Sequence, residues 1–182
     1  MSDKLSRKDQ QLLLTIARET INSYVTNKTI PSLPVTDPAL QEQRGCFVTI
    51  KKSGALRGCI GTFSADNPLV RTIQEMAISA ATRDPRFYPM KTADLADYQV
   101  EISVLSPLQK IDSVDEIVVG EHGLYIEKGI ARGVLLPQVA TEYGWDRETF
   151  LKQTCLKAGL RPDEWKDGAE ISIFSADIFS SN

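Results

Sequence analysis

The sequence is poor in the residues that metal centres and disulfide frameworks require. Its 182 residues include one histidine, His122, and three cysteines, Cys46, Cys59 and Cys155. An odd cysteine count without a C-x-x-C spacing argues against both a disulfide framework and a zinc knuckle. A metal centre would have to gather nearly every soft ligand in the chain. We therefore expect no metal site, and the sequence does not identify a cofactor.

Several common functional signatures are also missing. The sequence has no glycine-rich phosphate loop, no G-x-S-x-G nucleophile elbow and no H-E-x-x-H pair. It has no apolar run of about 18 residues, so we expect a cytoplasmic protein that does not enter a membrane. The net charge of −3 at pH 7 disfavours nucleic acid as a partner.

The patterns that are present mix helices and strands. Apolar residues recur every three or four positions at 6–27 and 67–83, which predicts two amphipathic helices, the second capped by Asn67. A further helix is expected from a cap at Asp146 to a stop at Gly159. Between the first two helices, residues 28–43 hold three prolines and predict a long loop, either functional or loosely held.

Strand patterns complete the chain. Apolar residues alternate at 98–105, two short strands are expected within 121–139, and “EISIFSADIF” at 170–179 reads as one closing strand. No regular βαβ repeat occurs. The expected class is α+β, a single domain over residues 1–182 with an antiparallel or mixed sheet flanked by helices.

A β-hairpin is predicted where “GCFVTI” and “ALRGCIGTF” flank “KKSG”. A three-residue loop at 52–54 would put Arg57 and Cys59 on the face opposite Val48 and Ile50. A two-residue loop would shift the pairing by one and mix Arg57 into that apolar face, so we predict the three-residue loop.

Cys59 is the first candidate for a reactive group. On the predicted register Arg57 lies two residues away on the same face, where its charge would favour the thiolate. The neighbouring Gly58 and Gly61 would leave room for a substrate to approach the backbone. The alternative is that Cys59 fills the core, as unpaired cysteines commonly do.

Other polar residues offer supporting roles. Arg57 and Arg86 are candidates for binding a carboxylate or phosphate, with Arg132 as a third. Glu101 is a candidate acid or base, although it and Asp84 could equally be partners of these arginines inside the fold. His122 is a side-chain type that exchanges protons near neutral pH, but a histidine beside glycine is also common in turns.

Taken together, the motifs resemble the AMME-syndrome candidate-region family, system protein A of the AmmeMemoRadiSam grouping. The hallmark is “LRGCIGT” at 56–62. Tyr88 departs from the resemblance, since the family has proline at that position. The other matching motifs, in order, are “GCFVTI” at 45–50, “DPRF” at 84–87, “EISVLS” at 101–106, “HGL” at 122–124, “GVLLPQVATEYGWD” at 133–146 and “CLKAGL” at 155–160.

The resemblance implies an α+β fold of two subdomains, with the hallmark motif near a cleft between them. It makes Arg57, Gly58, Cys59 and Gly61 the leading site positions, and it implies partnership with a Memo-type protein and a radical S-adenosylmethionine protein. It supplies no reaction.

Two functions fit these observations. The first is an enzyme or enzyme subunit that acts on a small anionic or modified macromolecular substrate, with Cys59 as nucleophile or redox thiol and Arg57 as anion binder. In this hypothesis Glu101 and His122 are catalytic and Arg86 and Gln138 help to bind substrate. The second is a binding module in which the glycine-rich strand, or the edge of the hairpin, receives a protein partner or RNA.

Overall fold

The chain divides into two compact units in a computed structural model that describes residues 4–64 and 66–182. The first unit takes the chain as far as Leu105 and includes Asp177–Asn182, and the second is Ser106–Ala176. Each unit has a hydrophobic core of its own. Within the described residues, no helix is long and apolar enough to cross a bilayer.

The first unit packs two helices on one face of a four-stranded sheet. The strands, in the spatial order β2-β1-β3-β8, are β1 (Cys46–Lys52), β2 (Ala55–Thr62), β3 (Gln99–Leu105) and β8 (Ala176–Ser180). The helices are α1 (Arg7–Asn27), the single turn α2 (Pro38–Gln41) and α3 (Leu69–Thr82), and a 3-10 turn spans Thr92–Ala96.

The apolar stripes of α1 and α3 meet the sheet because their buried residues recur at helical spacing. Ser6 caps α1 as predicted, its side chain accepting a hydrogen bond from the Asp9 N–H. The predicted cap of the next helix is wrong. Helix α3 begins at Leu69 with Pro68 in the cap position, and the Asn67 side chain donates to Glu75 instead.

The hairpin of β1 and β2 keeps its predicted faces, although the predicted loop is wrong. The loop has two residues, Ser53 and Gly54, both with the positive φ that a type I′ turn requires. A β-bulge after Ile50 then adds one residue to β2 and restores the alternation. Cys59 therefore pairs with Thr49, on the face away from the helices.

The second unit is also α+β. Its sheet runs in the order β4-β7-β5-β6, with β4 (Gln109–Lys110), β5 (Gly123–Lys128), β6 (Ala131–Leu135) and β7 (Glu170–Phe174). Its helices are α4 (Pro137–Glu142) and α5 (Arg147–Lys157), with 3-10 turns at Val114–Glu116 and Glu164–Lys166. Asp146 caps α5 as predicted by accepting from the Thr149 N–H.

The α+β class with antiparallel pairing is confirmed. The prediction of one closing strand is wrong, because the segment divides at Ser175 into β7 and β8, which belong to different sheets. Apolar residues alternate on both sides of that break, so hydrophobic pattern alone does not reveal it.

Candidate functional site

The DPRF motif clamps the edge of β2 at Cys59. Strand β2 is the last strand in its sheet, so alternate backbone groups lack a strand partner. The Asp84 carboxylate accepts the Cys59 N–H at 2.9 Å, and the Arg86 guanidinium donates to the Cys59 carbonyl at 3.4 Å. Two side chains thus replace a neighbouring strand at this residue.

Asp84 and Arg86 form a two-pronged ion pair behind this clamp. Arg86 Nε and Nη2 donate to the two carboxylate oxygens at 3.0 and 2.7 Å, and the Arg86 N–H closes an Asx-type turn at 3.1 Å. The Asp84 side chain is 2% exposed, whereas that of Arg86 is 55% exposed. The hydrogen bonds from Arg86 hold the pKa of Asp84 well below its usual range, against the opposing effect of burial.

The thiol of Cys59 lies against a polar row that crosses three strands. Its Sγ is 3.1 Å from Thr49 Oγ1, which is within hydrogen-bond distance. Thr49 pairs with Cys59 on one side and with Glu101 on the other. Glu101 is held by Lys51, whose Nζ is 3.2 Å from its carboxylate. The half-buried thiol therefore has a hydroxyl beside it and a carboxylate on the next strand.

The guanidinium that contacts Cys59 is that of Arg86, whereas the Arg57 guanidinium, predicted to lie beside the thiol, is bound to the loop that carries Arg86. Arg57 lies in the bulge, and its Nη2 donates to the Tyr88 carbonyl at 2.8 Å. Asp94 is 3.7 Å away and the Phe87 ring lies 5.9 Å from the guanidinium carbon. Arg57 Nη1 is buried without a hydrogen-bond partner among the described residues. Its side chain fixes the loop that carries Arg86.

Both glycines of the motif have a packing explanation. A Cβ at Gly58 would overlap the carbonyl oxygen of Ala80, so only glycine lets the end of α3 approach β2 this closely. A Cβ at Gly61 would overlap the ring of Phe47, which lies in the space that we predicted for a substrate. The two glycines allow α3 and the Phe47 ring to pack directly against β2.

The other cysteines are buried in the two cores. Cys46 is on the helix-covered face of the first sheet, and burial raises the pKa of its thiol to about 12. Cys155 is in the core of the second unit, and burial again raises its pKa. Cys59 alone among the three keeps accessible surface.

Three predicted residues lie in the second unit. The His122 ring accepts the Val118 N–H at Nδ1, at 3.1 Å, and so closes the turn before β5. Gln138 is in the first turn of α4, and its Oε1 is buried without a hydrogen-bond partner among the described residues. Arg132 lies 3.5 Å from Glu127. The site around Cys59 is built in the first unit from Thr49, Glu101 and the DPRF loop.

Sequence reasoning gave Thr49 no role and treated Asp84 only as a structural partner. A signal for Asp84 exists, because Asp-Pro-Arg favours a turn in which the carboxylate binds the backbone two residues on. No local pattern indicates that the same carboxylate also binds a strand 25 residues away.

Residues 4–64 and 66–182 contain no group of three or more histidine, cysteine, aspartate or glutamate side chains placed to hold a metal ion. The chemistry that this arrangement offers is that of a thiol, a carboxylate and a half-exposed guanidinium.

The AMMECR1 family profile matches residues 14–179, nearly the whole chain. The chain belongs to the AMMECR1 family. It is similar to a protein of Methanosarcina barkeri, 46% identical over 173 residues that cover 90% of this chain and 86% of the relative. It is also similar to a protein of Methanopyrus kandleri, 43% identical over 190 residues that cover 98% and 91%.

A solved structure has the same fold. The crystal structure of the uncharacterized protein PH0010 from Pyrococcus horikoshii matches with a TM-score of 0.86 at 40% identity, covering 98% of this chain and 94% of that one. The names of these relatives state no activity, so the function of the site is argued from its geometry.

Proposed function

We propose that the strand carrying LRGCIGT holds the thiol of an enzyme or enzyme subunit that acts on a small anionic substrate. Cys59 is the nucleophile or redox thiol, and Arg86 binds the anionic group, a role that we predicted for both Arg57 and Arg86. Glu101 is the nearest carboxylate across the sheet and serves as acid or base. The observation that carries this proposal is the fixed position of Cys59 beside Arg86.

The clamp supports a chemical role because it fixes Cys59 from two sides. Its N–H is held by Asp84 and its carbonyl by Arg86, while the thiol meets Thr49 on the sheet face. Positioning of a reacting atom by surrounding groups is what catalysis requires.

Arg86 has capacity left for a substrate. Its Nε and Nη2 serve Asp84 and Cys59, and Nη1 has no hydrogen-bond partner among the described residues. A half-exposed guanidinium held by a buried carboxylate keeps its charge and its orientation. A carboxylate or phosphate bound to Nη1 would lie next to the backbone clamp at Cys59.

The clamp also argues against the alternative of a module that adds a partner strand to β2. Strand addition needs a row of free backbone groups along an edge. At Cys59 in the middle of β2 those groups are occupied by Asp84 and Arg86. The proposed association with Memo-type and radical S-adenosylmethionine proteins would therefore use another surface.

Alkylation with a matched pair of reagents tests the proposal. Iodoacetate carries a carboxylate, and iodoacetamide is its neutral counterpart of similar size. We expect the rate ratio of iodoacetate to iodoacetamide at Cys59 to be at least about threefold higher in the native protein than in the unfolded chain, because a fixed guanidinium attracts the anion.

Arg86→Met should return this ratio to the value of the unfolded chain. Arg86→Gln, which is neutral but can still donate a hydrogen bond to Asp84, serves if the Met variant does not fold. Arg83→Met is the matched control, since Arg83 is exposed in the same loop and its backbone N–H bonds Ser79. A native ratio equal to that of the unfolded chain would remove the anion site from the proposal.

A further inference from the structure

The proline-containing loop after α1 and the first turns of α3 enclose a pocket away from the Cys59 contacts. Its volume is about 510 Å³, within the range of small-molecule sites. Loop residues Ile30, Pro31 and Leu33 form one wall, and α3 forms the other. Nothing in the proposed thiol chemistry uses this pocket.

Gln74 presents a fixed hydrogen-bond acceptor to the pocket. Its side chain lines the pocket although the residue is only 7% exposed. Nε2 donates to the Pro31 carbonyl at 3.0 Å and to Thr20 Oγ1 at 3.2 Å. The carbonyl of Pro31 can only accept, so the amide orientation is determined and Oε1 is on the other side.

Oε1 of Gln74 is left for a ligand. It accepts no hydrogen bond from the described residues, and it is not among the polar atoms sealed from solvent. A nearly buried side chain whose free atom reaches a pocket is suited to select a ligand with an N–H or O–H donor.

The part of the pocket at the start of α3 favours a negatively charged group. Its described lining includes one charged side chain, Arg71, and no carboxylate. Helix α3 begins beside it without a side-chain cap, so the N-terminal end of the helix dipole adds to the positive potential. Arg71 and Gln74 lie one turn apart on α3, a rise of about 4.5 Å, which sets the spacing of these two polar groups along the helix.

We propose that this pocket binds a small carboxylate ligand that also carries an amide N–H. The carboxylate pairs with Arg71 at the start of α3, an apolar side chain packs on Ile30 and Leu33, and an amide N–H donates to Gln74 Oε1. The prolines of the loop lower the entropy cost of holding that wall in place.

Titration with two peptide probes tests this proposal. N-acetyl-leucyl-leucine carries the carboxylate, and its C-terminal amide lacks it. We expect the acid to bind about tenfold more tightly than the amide by calorimetry, with NMR shifts at the Val70 amide and the Gln74 side chain.

Variants assign the binding to the pocket. Arg71→Met should remove the preference for the acid and leave the weak binding of the amide. Ser32→Trp, at an exposed lining position, should abolish binding of both probes without disturbing the Gln74 contacts. Arg7→Met, a change of exposed helical arginine outside the pocket, should have no effect.

Three results would overturn the proposal: equal affinity for acid and amide, an unchanged preference in Arg71→Met, or no shift at Val70 and Gln74 with either probe. Because none of the named variants touches Cys59 or the DPRF loop, these outcomes are independent of the thiol site.

Discussion

The two faces of the first sheet each carry a cysteine, and the two cysteines differ in burial and in contacts. On the helix-covered face Cys46 lies among Val48 and Ile50, all fully buried, and burial raises its pKa to about 12. On the other face Cys59 is half-buried, meets the Thr49 hydroxyl and is held through its backbone by the DPRF loop. Hydrophobic packing specifies the first face, and individual polar contacts specify the second.

The largest loss of stability is expected at Gly58, which lies between the helix-covered face and the adjacent Cys59. Gly58 lets α3 approach β2, and a Cβ there would overlap the Ala80 backbone. Gly58→Ala should lower the free energy of unfolding by about 3 kcal/mol, because the helix must move. Urea denaturation followed by circular dichroism measures this, and a loss of less than about 1 kcal/mol would show that the approach of the helix is not required.

A second change breaks the clamp and leaves the helix-covered face intact. Asp84→Asn removes a buried charge-assisted pair and should cost about 2–3 kcal/mol in unfolding free energy. The pKa of Asp84 is held low in the folded state, so its stabilisation is present above the ordinary aspartate value of about 4 and is lost as pH falls below it.

The pH dependence gives that prediction its own control. Unfolding midpoints measured from pH 7 down to pH 2 should fall less steeply below about pH 4 in Asp84→Asn than in the unmodified protein. Parallel curves for the two proteins would mean that Asp84 does not contribute to acid stability.

These contacts also show where sequence reasoning stops. Strand alternation correctly separates Cys59 from the core face, because period-two burial is a local property. The predicted loop length was wrong because the bulge at Arg57 compensates for a two-residue turn. A three-residue loop without a bulge and a two-residue loop with one place Cys59 on the same face. The docking of Asp84 on Cys59 joins segments distant in sequence, and no local pattern encodes it.

A third change tests the packing of the face that carries Cys59. Gly61→Ala should cost about 2 kcal/mol, less than Gly58→Ala, because its nearest obstacle is the side chain of Phe47, and the backbone oxygen of Cys46 is at 2.6 Å rather than the 2.1 Å of the Ala80 oxygen. Phe47→Leu combined with Gly61→Ala should cost less than the sum of the single changes. Additive losses in a double-mutant cycle would mean that the ring and the glycine are not coupled.

The smallest effect on stability should come with a change in reactivity. Thr49→Val keeps the side-chain shape and removes the hydroxyl 3.1 Å from Cys59 Sγ. We expect the unfolding free energy to fall by less than about 1 kcal/mol. We expect Cys59 alkylation to slow by about two- to fivefold, since a donor to the thiolate is lost. An unchanged rate would exclude the hydroxyl from the chemistry.

The contrast between the faces is tested most directly by native-state alkylation of the three cysteines, measured by peptide mass spectrometry after timed exposure to iodoacetamide. The prediction is that Cys59 is modified first, while Cys46 and Cys155 resist until the protein unfolds, because both are buried and have raised pKa values. Equal resistance of all three cysteines would contradict it and return Cys59 to the role of a packing residue.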